Sequence, residues 1–175
     1  MARGGVSWGP NVSAFTLTPK PATNRPMNAP QSPMDLALAL AEEAAANGEA
    51  PIGAVVVENG KILAAERNRM QALGDPTAHA EMLAIRKALE VRGTGRLDGC
   101  DLYVTLEPCA MCAGAIAHVR LRRLYYGADD PKAGAVDNGV HLFAQPTCHH
   151  APEVIAGVGE RRSRSLLKDF FAGLR

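Results

Sequence analysis

No stretch of this chain approaches the roughly eighteen consecutive apolar residues of a membrane span, and the N-terminus has no uninterrupted apolar core of the secretory kind. A membrane partner is therefore not expected, and the expected compartment is the cytoplasm. Cysteine is scarce, with four in 175 residues. Two of them form a CxxC better explained as thiolates than as half of a disulfide framework, which fits a reducing environment. Net charge is nearly absent at +1, so the total does not announce a polyanion binder, and any basic face has to be made locally. Acidic residues are missing from the first 34 positions, which carry Arg3, Lys20 and Arg25. There is no internal repeat and no sign of a second domain. With 47% hydrophobic and 21% charged residues, the composition is that of one compact domain.

What is present is organised in segments. Residues 1–31 hold prolines at 10, 19, 21, 26 and 30 with no apolar period, and are expected to be a disordered extension ahead of a domain spanning 32–175. Ser32-Pro33-Met34-Asp35 is an acidic variant of the capping box, and predicts a helix that stops at Asn47-Gly48. β-Branched residues on either side of Asn59-Gly60 predict a hairpin from Ile52–Glu58 and Lys61–Glu66. A helix with His79 in its first turn is expected to reach Gly93, burying Met82, Leu83, Ile85 and Leu89 and showing Glu81, Arg86, Lys87 and Glu90 on the opposite face. Leu102–Leu106 reads as a buried strand, and Pro108 as the opening of a helix through Cys109, Cys112, Ile116 and Val119. Further strands at 123–127 and 154–156 and a helix over about 160–171 complete the order. Strands separated by helices favour an α/β architecture, a central sheet covered on both faces.

His79-Ala80-Glu81 and Pro108-Cys109-Ala110-Met111-Cys112 carry the chemistry. One imidazole and two thiolates suit zinc, and a catalytic zinc keeps three protein ligands so that a fourth position stays open. Cysteines three apart at a helix start share a face, and the helix N-terminus favours the thiolate. Glu81 lies two residues from His79, about 200° around an ideal helix, so it is expected to address water rather than the metal. Zinc brings the pKa of water from about 15.7 to roughly 7, and a carboxylate beside it can move that proton to a leaving amine. Those parts make a hydrolytic deaminase. A thioredoxin-like redox pair would place Pro inside the CxxC, and a closed structural site would need a fourth ligand, for which Cys100, His118 or Cys148 are available. A zinc protein that binds RNA without turnover is the reading from a different class.

Thr77-Ala78-His79-Ala80-Glu81 and Thr105-Leu106-Glu107-Pro108-Cys109-Ala110-Met111-Cys112-Ala113-Gly114-Ala115 form the zinc deaminase signature. They resemble the cytidine deaminase superfamily and, within it, the bacterial tRNA-specific adenosine deaminases. Asn68, Asp75-Pro76, residues 127–132 and Asp169-Phe170-Phe171 extend the resemblance over about residues 35 to 175. It implies a three-layer α/β/α fold with a central mixed sheet of about five strands, and one Zn2+ per subunit held by His79, Cys109 and Cys112. Glu81 is then the catalytic proton shuttle, and Asn68, Ala80, Asp130, Lys132, Phe170 and Phe171 contact substrate. It also implies a homodimer that converts the wobble adenosine of an arginine tRNA anticodon stem-loop to inosine. Deamination of a free base or nucleoside, guanine or cytosine, is the alternative within the same chemistry. Residues 134–150 depart from the family pattern. Two basic clusters, one of His118, Arg120, Arg122 and Arg123 and one of Arg161, Arg162, Arg164, Lys168 and Arg175, read as solvated faces when taken alone. Cys148-His149-His150 reads as ordinary loop, and Phe170-Phe171 as one ring packed and one exposed.

Overall fold

Ser32 caps the first helix in both directions. Its hydroxyl accepts from the Asp35 amide at 3.1 Å, and Asp35 Oδ2 accepts from the Ser32 amide at 3.3 Å, with Pro33 at the first helical position. The computed structural model describes residues 32–173; the extension expected over 1–31 lies outside the described residues.

Helix α1 (Pro33–Ala46) leads into the hairpin β1 (Gly53–Glu58) and β2 (Lys61–Arg67). Asn59 and Gly60 both take positive φ, 48° and 79°, as a two-residue hairpin turn requires. A short helix α2 (Met70–Leu73), not foreseen from the sequence, precedes α3 (Ala80–Arg92). Then come β3 (Cys100–Leu106), α4 (Ala110–His118), β4 (Arg123–Ala128), a single 3-10 turn at Leu142–Ala144, β5 (Glu153–Ile155) and α5 (Glu160–Gly173).

The five strands form one mixed sheet in the order β2-β1-β3-β4-β5. β1 is antiparallel to both β2 and β3, whereas β3, β4 and β5 run parallel. Because side chains alternate along a strand, β1 feeds two cores. Ala54 and Val56 join Ala84, Ile85, Leu102, Ile116 and Leu124 beneath α3 and α4, while Val55 and Val57 join Met34, Ala37 and Leu38 beneath α1, with Leu166 of α5. This is the expected three-layer arrangement.

Gly53 marks the closest approach between layers: a Cβ there would lie 2.0 Å from the Ala37 carbonyl oxygen and 2.9 Å from Leu40 Cβ. Backbone cannot yield as a flexible side chain can. Gly53→Ala is expected to cost about 1–3 kcal/mol and lower Tm by roughly 2–10 °C, read by thermal denaturation. An unchanged Tm would show that α1 moves off the sheet freely.

Candidate active site

The site lies where β3 ends and two helices begin. His79 and Cys109 are the N-caps of α3 and α4, each with extended backbone (φ −66°, ψ 150° and φ −71°, ψ 173°) and neither with a side-chain capping bond. This corrects the sequence expectation: His79 precedes the first turn, and Pro108 stands before the cap, two residues ahead of the helix. An N-cap side chain normally reaches back to the N3 amide. Here N3 is Cys112, so the cap geometry brings the two sulfurs together instead.

His79 Nδ1 lies 3.7 Å from Cys109 Sγ and 3.5 Å from Cys112 Sγ, and all three donors fall within 4.8 Å of one another. A tetrahedral zinc with bonds of about 2.3 Å to sulfur and 2.0 Å to nitrogen would separate those atoms by about 3.6 Å. The donor set therefore fits zinc in both chemistry and spacing. Among the described residues no fourth ligand joins it. Cys100 is buried at the start of β3, His118 is exposed at the end of α4, and Cys148 Sγ donates to the His150 carbonyl.

Hydrogen bonding from Cys112 and His79 holds the Cys109 thiol down at about 4, against the opposing effect of burial. The hydrogen bond to Cys109, then burial and the Glu81 charge, push Cys112 up. The Cys109 hydrogen bond raises His79. A divalent cation is the natural partner of this set.

Glu81 corrects the sequence expectation of an outward-facing residue. Only 3% of it is exposed, and it lies with Ala80, Ala84, Ile85 and Ala88 on the buried side of α3. Its Oε2 is buried and has no hydrogen-bond partner. Burial pushes its pKa up to about 7, where a carboxyl can both take and release a proton near neutrality. It is not among the clustered donors, although the offset of about 200° expected on an ideal helix does not apply here, because His79 lies outside the helix.

Asn68 is buried and receives the same treatment: its Nδ2 donates to Glu49 Oε2 at 3.2 Å, and its Oδ1 is left without a partner. Backbone bonds from Asn68 N to Ile52 O and from Arg69 N to Ala78 O pin it beside the residue preceding His79. Ala80 opens α3, so its N–H is one of the helix's orphan donors. Asp130, Lys132 and Phe171 share a cleft of about 660 Å³ with Ile52, Leu106 and Leu167. Phe170 is half-buried, meets Phe171 edge to face and does not line that cleft; Phe171 is 53% exposed.

The Cys148-His149-His150 tract lies in a loop, where His150 Nε2 meets the Leu121 carbonyl at 2.7 Å. Much of the basic charge is already paired: Arg122 with Asp101, Arg123 with Glu153, Arg162 with Asp35 and Glu42, and Arg164 with Asp129 and Glu160. Two buried acids that sequence reasoning did not single out are Glu49, which orients Asn68, and Glu107. The signal for Glu107 was its place between a buried strand and the CxxC, where an unpaired carboxylate would be costly.

Paired helix N-termini that hold a three-donor zinc site beside a buried carboxyl with one unsatisfied oxygen are the architecture of a zinc-dependent deaminase domain. The family profile "Cytidine and deoxycytidylate deaminase zinc-binding region" matches residues 27–128. A tRNA-specific adenosine deaminase of Agrobacterium fabrum is 56% identical over 138 residues, covering 79% of this chain and 91% of its own. A solved structure from studies of A-to-I editing by tRNA:A34 deaminases at the wobble position of transfer RNA is 56% identical. It has a TM-score of 0.76 and covers 77% of this chain and 98% of its own. A guanine deaminase from Nitrosomonas europaea is 27% identical with a TM-score of 0.70, covering 85% and 87%. The chain belongs to the tRNA-specific adenosine deaminase family.

Proposed function

We propose that this chain deaminates adenosine to inosine at the wobble position of tRNA, with residues 32–175 as the catalytic domain. The observation that carries the reading is the buried Glu81 carboxylate, its Oε2 without a hydrogen-bond partner, in a chain that also holds a three-donor zinc site and is 56% identical to a tRNA-specific adenosine deaminase. His79, Cys109 and Cys112 would hold the metal. Zinc, when bound, supplies a Lewis acid that activates the attacking water. Glu81 takes a proton from that water and returns it to the leaving amine. The oxygen adds at C6, the bond from C6 to the exocyclic nitrogen breaks, and ammonia departs, leaving inosine. Asn68 offers its free Oδ1 to a donor on the nucleoside, and the Ala80 N–H offers a donor from the start of α3. Asp130, Lys132 and Phe171 line the cleft that receives the flanking RNA, where a splayed base can stack on an aromatic ring.

The finer reading is an arginine tRNA anticodon stem-loop, taken by a cytoplasmic homodimer with one zinc per subunit. Among the described residues no helix is long and apolar enough to cross a membrane. Guanine deaminase activity is the competing reading, since that fold neighbour shares the architecture at 27% identity. Incubation with the arginine anticodon stem-loop and, separately, with free guanine and cytosine tests the choice. Inosine is expected in the RNA only; turnover confined to the free bases would reject the proposal.

A further inference from the structure

Glu107 is buried at 2% exposure and is not one of the clustered zinc donors, yet it accepts five hydrogen bonds from one loop. Oε1 takes the amides of Val136, Asp137 and Asn138 at 3.1, 2.9 and 2.9 Å, and Oε2 takes the Asp130 amide at 2.8 Å and Asn138 Nδ2 at 2.6 Å. Burial would raise its pKa, but these donors outweigh burial and the net shift is downward. The same loop touches the zinc helix directly: Cys109 and Gly134 form an isolated antiparallel bridge, and Ala135 N donates to the Pro108 carbonyl at 3.0 Å. Gly134 has no room for a side chain, since a Cβ would lie 2.5 Å from both the Asp130 carbonyl oxygen and the Glu107 carboxyl.

The far side of the loop is the cleft wall. Asp130 Oδ1 accepts the amides of Lys132 and Ala133 at 3.0 and 3.2 Å, which shapes the turn that presents Asp130 and Lys132. Two outer ties, Tyr126 to Asp137 and Arg164 to Asp129, hold its flanks. A loop of this kind has no apolar period and no ladder of its own. One carboxylate, two residues before a zinc ligand, gathers five of the hydrogen bonds that hold it.

We infer that Glu107 is a positioning residue that sets the loop Asp130–Asn138, whose Asp130–Ala133 end lines the cleft, in fixed register with the zinc helix. The inference rests on the proposed function and deepens it. The metal and the cleft wall are then parts of one rigid piece, and loosening the wall should weaken RNA capture without dismantling the metal centre. Glu107→Gln tests this with almost no change in volume. Either amide orientation leaves at least two loop donors facing an N–H group instead of an acceptor.

Three quantities are read: zinc content, kcat and KM on the arginine anticodon hairpin, and amide hydrogen exchange over 130–138. Zinc is expected to stay at the wild-type level and kcat within about twofold, while KM rises by roughly tenfold or more. The amides of Asp130, Val136, Asp137 and Asn138 should exchange at least about tenfold faster while those of α4 do not change. Asn138→Ala removes one of the five donors from a half-exposed position and should raise KM in the same direction by about threefold, which keeps the test available if Glu107→Gln fails to fold. Unchanged KM and exchange, or zinc and kcat lost together, would overturn the inference. Wild-type protein inactive on the hairpin would instead reject the proposed function, and the exchange measurement would still decide whether Glu107 holds the loop.

Discussion

Glu81→Gln is expected to leave zinc bound and abolish deamination, with kcat falling by roughly 10²–10⁴-fold. The two halves of that result have separate physical origins. Zinc stays because the clustered donors are His79, Cys109 and Cys112, none of which is altered. Turnover goes because glutamine preserves the shape of a 3%-exposed side chain but cannot accept and release a proton. The wild-type carboxyl suits that duty because burial lifts its pKa to about 7 and leaves Oε2 with no protein partner to compete for the proton. A catalytic group held idle in the resting protein is what a proton shuttle requires. Metal analysis beside single-turnover kinetics on the hairpin decides. Lost zinc would make Glu81 a ligand, and full activity would move the shuttle elsewhere.

What the sequence made legible was written in local chemistry. The capping box at Ser32 and the Asn59-Gly60 turn are short-range signals, and both formed as read. The metal set was legible too, because residue type and spacing together specify zinc. The expected starts of α3 and α4 fall one and two residues early, since a cap contributes its carbonyl to the helix while keeping extended dihedrals. Glu81 was assigned to the polar face because a periodicity argument sorts residues by polarity, and a site residue is where polarity and burial part company. The segment from 129 to 152 was the least legible. Its first part, 130–138, hangs on Glu107, 23 to 31 residues away in the chain, and hydrogen bonds to a single carboxylate leave no periodic trace.

Cys112→Ala should release zinc and destabilise the whole domain. Cys112 is fully buried at N3 of α4, and its sulfur sits 3.5 Å from His79 Nδ1. With one sulfur gone, two donors on different helices are too few for a tight site. Folding is coupled to the metal because the three donors converge only when α3 and α4 are both docked, so any ion held by the native state alone shifts the equilibrium toward it. At a zinc concentration a thousandfold above Kd that shift is about 4 kcal/mol. The side chain also fills core space, and packing loss has to be separated from metal loss. Thermal denaturation of both proteins before and after chelation does so. The gap between wild type and Cys112→Ala should be about 4 kcal/mol or more with zinc present, and should shrink to about 1 kcal/mol, the packing term alone, once the wild type is stripped. A gap unchanged by chelation would mean that the cysteine supports the core and the metal contributes little to folding. Stoichiometric zinc retained by the variant would mean that another donor closes the site.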